Sequence, residues 1–214
     1  LRLHVISRTT RKYKTQEITV IREAILFADE DWFYPVINGI PRLLVESFAD
    51  HASFFQQHLP DYSNRKQLLE SKYPALIRYV VKKNSRTKRS FSLEWSLFDY
   101  EKTKTWDADQ TGMLQRFLEE TNETAESLQG KMILDAGCGN GKLDELVATC
   151  GARIVAMDFS NSIERAYGQG THESVFYIQG DVQFPPVAFG RFDIVHCSGV
   201  LICTNNTELS FSCL

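Results

Sequence analysis

No cysteine occurs before Cys138 in this chain of 214 residues, and the five present (Cys138, Cys150, Cys197, Cys203, Cys213) include no C-x-x-C pair. Zinc-knot spacing is therefore missing, and an odd number of thiols fits reduced cysteines better than a disulfide frame. No apolar run approaches the roughly 18 residues of a membrane span, and the opening LRLHVISRTTRKYK lacks the apolar core of a secretion signal. A soluble, cytoplasmic protein without a bound metal is the expectation. Methionine is absent from position 1 and occurs only at Met113, Met132 and Met157, so the chain reads as a piece of a longer protein rather than a processed one. There is no internal repeat or low-complexity tract. With 43% apolar and 24% charged residues, the chain has the composition of a globular protein.

Charge is unevenly placed. Residues 1–106 carry 18 basic and 12 acidic side chains, net +6, whereas residues 107–214 carry 6 and 15, net −9. The asymmetry suggests units with different surfaces. A basic cluster (Arg78, Lys82, Lys83, Arg86, Lys88, Arg89) has no acid between Glu70 and Glu94. It reads first as a solvated helix end and linker, because no aromatic ring interleaves the run; phosphate-backbone or anionic-lipid binding is the weaker reading.

In WFYPVINGIPRLLV, Asn38-Gly39 lies between two β-prone runs, a strong hairpin signal, and Pro35 and Pro41 are expected only at strand edges. Residues 1–46 are read as a small β unit. Helical spacing of apolar residues follows in ESFADHASFFQQHL and in NRKQLLESKYPALIRYVVKK, the latter broken or kinked near Pro74. TGMLQRFLEETN reads as a helix with Leu114, Phe117 and Leu118 on one face; FSLEWSLFDYEKTKTW is aromatic-rich without a clear assignment. Residues 47–129 are thus a helical and aromatic lead-in. From 130 to 214, KMILDAG, ARIVAMD, SVFYIQGD and RFDIVHCS are short strand-like runs separated by helix-like ones. That alternation predicts an α/β fold, a Rossmann-like doubly wound parallel sheet of about four strands.

The stretch MILDAGCGNGKLDEL carries the chemistry. An apolar strand, a glycine turn and a helix is the plan of a nucleotide-cofactor site. Gly137, Gly139 and Gly141 run G-x-G-x-G, not the dinucleotide G-x-G-x-x-G, and Lys142 is followed by Leu143, not by the Ser or Thr of a phosphate loop. Asp135, just before the turn, would repel a pyrophosphate over the helix N-terminus and favour a cation. A ligand with a ribose and a positively charged tail fits, and S-adenosylmethionine is one.

Residues 131–203 resemble the first half of a class I S-adenosylmethionine-dependent methyltransferase, with LDAGCGNG very like that family's first motif. The resemblance implies Asp135, Gly137, Cys138 and Gly139 as contacts for the methionine part and ribose, with Gly141 packing at the helix start. It implies that Asp158, with Phe159 beside it, accepts from the ribose hydroxyls; an acid at that strand tip can take two charge-assisted bonds. YIQGDVQFPP resembles the segment that meets adenine, implying Asp181 and Val182. RFDIVHCSGVL resembles the strand that floors the pocket, placing His196 and Cys197 on the wall. Ser160 reads as a helix N-cap, Cys138 as a small filler rather than a nucleophile, and His196 as a satisfied strand-end residue before a catalytic base. Many relatives carry His-His after GVL where this chain has Ile202 and Cys203.

YPVINGIPRLL is also similar to the end of the small zinc ribbon preceding many bacterial methyltransferases, whose ligand cysteines come earlier; here the hairpin is expected without the metal. A complete class I sheet has seven strands in the order 3-2-1-4-5-7-6, and four are countable here. The fourth strand is then expected to present an apolar edge around Ile194 and Val195. The activity implied is methyl transfer to an unidentified acceptor, a small molecule by preference, with nucleic acid left open. A non-catalytic cofactor-binding or scaffold protein is the alternative, and a nicotinamide-dependent oxidoreductase is disfavoured by the glycine spacing and Asp135.

Overall fold

The computed structural model describes residues 2–28, 31–84 and 110–214. Two four-stranded sheets organise it. The first is antiparallel: β1 (Arg2–Lys12), β2 (Glu17–Phe27), β3 (Phe33–Ile37) and β4 (Ile40–Pro41), neighbours in that order. β1 and β2 form a hairpin of two 11-residue strands whose register shifts at Ile6 and again between Ser7 and Arg8, and the first shift coincides with Ile6 packing on the core. Asn38 and Gly39 adopt φ of 53° and 83°, the two left-handed residues of a type I′ turn, and Ile37 pairs with Ile40 across it.

Pro35 was expected at an edge but lies in β3, between β2 and β4. Its carbonyl accepts from Arg42 N at 2.9 Å, so its ring nitrogen faces the same side, toward the two-residue β4 and away from the β2 ladder.

Helices α1 (Ser47–Asp50), α2 (Ala52–His58) and α3 (Tyr62–Lys72) cover this sheet. Phe33 meets Phe55 edge-on at 4.8 Å, and Ile25, Phe48, Leu59, Tyr62 and Leu69 close the cluster. Residues on both sides of position 46 therefore share one core. The break expected at Pro74 is present: α3 ends at Lys72, Tyr73 leaves the helical region, and residues 74–84 resume as α4. The aromatic segment 91–106 lies outside the described residues.

After α5 (Gln110–Thr121) comes the second sheet: β5 (Met132–Ala136), β6 (Arg153–Asp158), β7 (Val175–Gln179) and β8 (Ile194–His196). Its order is β7-β6-β5-β8 and every pairing is parallel. Helices α6 (Lys142–Thr149) and α7 (Ser162–Gln169) make the first two crossovers. The third, from β7 to β8, contains no helix, because Pro185-Pro186 removes two successive amide donors and Gly190 turns left-handed at φ 66°.

The strands read as nearly continuous apolar runs because both faces are covered. Ile133, Ile154, Val175 and Tyr177 pack with Phe117, Val147 and Ile163, while Leu134, Ala136 and Met157 pack with Val182 on the other face. Val195 on the edge strand β8 is 41% exposed. Helix α8 (Thr207–Ser212) is capped by Asn206, whose side chain accepts from Leu209 N.

The two sheets are joined at the β7 edge. Arg42 bridges to Gln179 in parallel fashion and Leu43 N donates to Gln179 O at 2.8 Å. Arg11 lies over the Tyr167 ring at 3.5 Å and donates to the carbonyls of Tyr167 and Gly170. A Cβ at Gly39 would lie 2.2 Å from Tyr167 Oη, so the hairpin glycine serves both the turn and the close approach of α7.

Candidate functional site

A cavity of about 710 Å³ opens at the carboxyl ends of β5, β6 and β7, the usual ligand position in a doubly wound sheet. Nine of the ten cofactor positions expected from sequence line it: Asp135, Gly137, Cys138, Gly139, Asp158, Phe159, Asp181, Val182 and His196. Gly141 does not. It is the α6 N-cap residue at φ 71°, and a Cβ there would press on Ala166 and Tyr177 at 3.1 Å, so it sets how closely the loop packs on α7 and β7.

The loop after β5 is pinned to β6: Gly137 N and Cys138 N both donate to Met157 O, at 2.7 and 3.0 Å. Gly137 has φ 116°, and an added Cβ would lie 2.1 Å from Val200 Cγ2. Cys138 is half-buried, and its thiol pKa is pushed well up by desolvation and then by the charges of Asp144, Asp158 and Asp135, consistent with filling space rather than attacking.

Asp158 ends β6 as a buried organiser. One carboxylate oxygen accepts from Gly139 N at 3.0 Å, and the other from Ser160 N and Ser160 Oγ, both at 2.8 Å. Burial raises its pKa despite the opposing pull of the Ser160 and Gly139 bonds. Ser160 is not the N-cap; Asn161 holds that place without a side-chain cap, and the Ser160 hydroxyl instead links Asp158 to Ser162.

Asp135 meets His196 Nδ1 at 3.1 Å, and His196 Nε2 meets Glu120 of α5 at 3.3 Å. Burial alone would lower the His196 pKa, but the hydrogen bonds and charges of Asp135 and Glu120 outweigh it and raise the pKa overall. Both ring nitrogens are thus engaged by carboxylates, which favours an imidazolium clamp. On the α6 side, Asp144 is buried; desolvation, then the charge of and hydrogen bond with Asp135, push its pKa well up.

At the β7 end, Asp181 Oδ1 accepts from Gln183 N at 2.9 Å and Oδ2 receives the Lys83 ammonium at 2.5 Å. Cys197, expected on the wall, turns away: its thiol donates to Ala136 O at 3.1 Å, and burial lifts its pKa to about 11.

Lys83 and Glu120 escaped the sequence reading. Lys83 sat in a basic run taken as solvated, and nothing local marks it. Glu120 had a signal: it lies one turn beyond Phe117, whose ring meets His196 edge-on at 5.1 Å, so the two share a helix face.

A parallel sheet with a glycine loop and acids at successive strand ends defines a Rossmann-like cofactor domain. Residues 133–211 match the methyltransferase domain family, so this part of the chain is similar to class I S-adenosylmethionine-dependent methyltransferase domains. The ubiquinone biosynthesis O-methyltransferase of Bordetella parapertussis (strain 12822) is 36% identical over 83 residues, covering 37% of this chain and 34% of that protein. That of Proteus mirabilis (strain HI4320) is 35% identical over 83 residues with the same coverage, 37% and 34%. The chain spans about a third of the length of these curated relatives. Among solved structures, magnesium protoporphyrin IX methyltransferase from Synechocystis PCC 6803 with bound SAH aligns with 60% of this chain and 65% of that one, at 19% identity and a TM-score of 0.46.

Proposed function

We propose that the cavity binds S-adenosylmethionine and serves methyl transfer to a small-molecule acceptor. The observation that carries this is the donor set. Three carboxylates, Asp135, Asp158 and Asp181, line the cavity near the end of β5, at the end of β6 and beyond β7 respectively, beside a loop of left-handed glycines. Such a wall suits a ligand with an ammonium, a ribose and an amino-bearing base, and repels a pyrophosphate. A volume of about 710 Å³ falls in the range of about 300–1,000 Å³ usual for small-molecule sites.

In this reading Asp135, beside the 137–139 loop, holds the ammonium of the amino-acid end, Asp158 the ribose hydroxyls with Phe159 alongside, and Asp181 and Val182 the base. The cofactor, when bound, supplies a methyl group activated by its sulfonium. The chain's own contribution is alignment and exclusion of water. His196 is assigned a positioning role: held between Asp135 and Glu120, it keeps the Asp135 carboxylate oriented, and a base for an acceptor proton is not among its functions while both nitrogens are engaged. Met113 and Phe117 of α5 and the segment around Ile202 border the side left for an acceptor. The small-molecule preference draws support from the names of the curated relatives. We further propose the division into a β unit at 1–46, a lead-in at 47–129 and a cofactor-binding part at 130–214, and a cytoplasmic location; among the described residues no helix is long and apolar enough to cross a membrane.

The test is ligand-induced stabilisation. S-adenosylhomocysteine at 100 times its Kd should stabilise the fold by about 2.7 kcal/mol, while NAD at equal concentration should not. Stabilisation by NAD alone would replace this reading with the oxidoreductase one.

A further inference from the structure

Lys83 enters the cavity wall from α4, far in sequence from the glycine loop. Its ammonium lies 2.5 Å from Asp181 Oδ2 and 2.8 Å from Gln183 Oε1, and 5.2 Å from the centre of the Phe184 ring. The lysine and aspartate side chains are only 11% and 8% exposed, so this is a largely desolvated pair. The next residue anchors this stretch of helix, since the Asn84 amide donates to the buried Glu46 at 2.8 Å. With Oδ1 accepting from Gln183 N and Oδ2 from the ammonium, a donor arriving at Oδ2 meets the Lys83 ammonium as a competitor for that oxygen.

We propose that Lys83 is a latch on the nucleobase end of the site: its ammonium competes for the Asp181 carboxylate with the exocyclic amino group of an incoming adenine. The proposal rests on the cofactor reading above. Because Asn84 fixes the backbone, opening the latch is a swing of the four-torsion lysine side chain, not a movement of α4. The front half of the chain thereby sets the affinity of a site built by the second half. Linkage gives the sign: an interaction made in the ligand-free form and broken on binding stabilises the former and weakens the latter by the same factor.

The experiment is calorimetric titration of S-adenosylhomocysteine into the wild-type chain, Lys83→Met and Lys83→Gln, with urea unfolding of each without ligand. The expected result is a Lys83→Met variant that is less stable alone yet binds about tenfold more tightly, a factor of ten being 1.4 kcal/mol. Lys83→Gln keeps a hydrogen-bond donor without the charge and should bind a few-fold more tightly, which keeps the test decisive if the methionine variant does not fold. Equal or weaker binding by the folded variants overturns the latch and makes Lys83 a scaffold or ligand contact. No binding by any folded chain, wild type included, overturns the cofactor reading and the latch together.

Discussion

Replacing Asp158 with alanine should be felt twice, in the fold and in the ligand, and the two effects are separable. The carboxylate accepts three hydrogen bonds, from Gly139 N at 3.0 Å and from Ser160 N and Oγ at 2.8 Å. Bonds to a charged group contribute roughly 1.5–3 kcal/mol each. The full sum is not lost, because the freed amides border a cavity that water enters and the Ser160 hydroxyl keeps Ser162 as a partner at 2.8 Å. Relief of the buried carboxyl's desolvation also offsets part of it. A net loss of about 2–3 kcal/mol of stability remains. In urea, with m of about 2 kcal/mol/M, the midpoint should fall by about 1–1.5 M at unchanged m. Affinity for S-adenosylhomocysteine should fall by a further 1.5–3 kcal/mol or so, about ten- to a hundredfold or somewhat more. Asp158→Asn, which keeps one acceptor oxygen but turns an amide toward a donor, should lie between. A midpoint within about 0.3 M of wild type would show that the carboxylate does not hold the loop, and unaltered affinity in a folded variant would remove Asp158 from the site.

Gly137→Ala should destabilise by about 2–3 kcal/mol, since it sets a side chain at φ 116° and 2.1 Å from Val200 Cγ2. Adding Val200→Ala should recover only the steric share, and full recovery in thermal melts would show that φ carries no strain. His196 should give a pH signature. Its folded-state pKa is raised, so its stabilisation is complete below the unfolded value of about 6.5 and is lost as pH rises through the folded value. The stability gap between wild type and His196→Gln should therefore narrow upward from about pH 6.5, and a gap constant from pH 6 to 9 would contradict the clamp.

Much of the second half was legible because its signals are local. Each of the four strands is a short apolar run ending in an acid, a glycine or a polar residue, and the parallel pairing of the first three follows from the helices between them. The missing helix between β7 and β8 was legible in principle in Pro185-Pro186. The Asn38-Gly39 turn was read from two residues, but the β1–β2 hairpin, with 11 residues in each strand, carries many polar residues on its exposed face and gave only a general β signal. What sequence could not supply was contact across the chain. Lys83 pairs with a residue 98 positions away, and Arg42 with Gln179 at 137. Likewise Cys197 and Ser160 were assigned from neighbours alone, whereas the thiol of the first turns from the cavity to the Ala136 carbonyl and the start of α7 at Ser162 leaves the second outside the cap position.

The claim on which the rest depends is that the cavity beside the 137–141 loop takes the methyl donor. Calorimetric titration of S-adenosylhomocysteine into the folded wild-type chain, with NAD and Asp158→Ala as controls, addresses it directly. The account predicts saturable one-to-one binding of S-adenosylhomocysteine, none of NAD at the same concentrations, and loss of most of the affinity in the variant. A folded chain that binds neither ligand, or that binds NAD in preference, would contradict it.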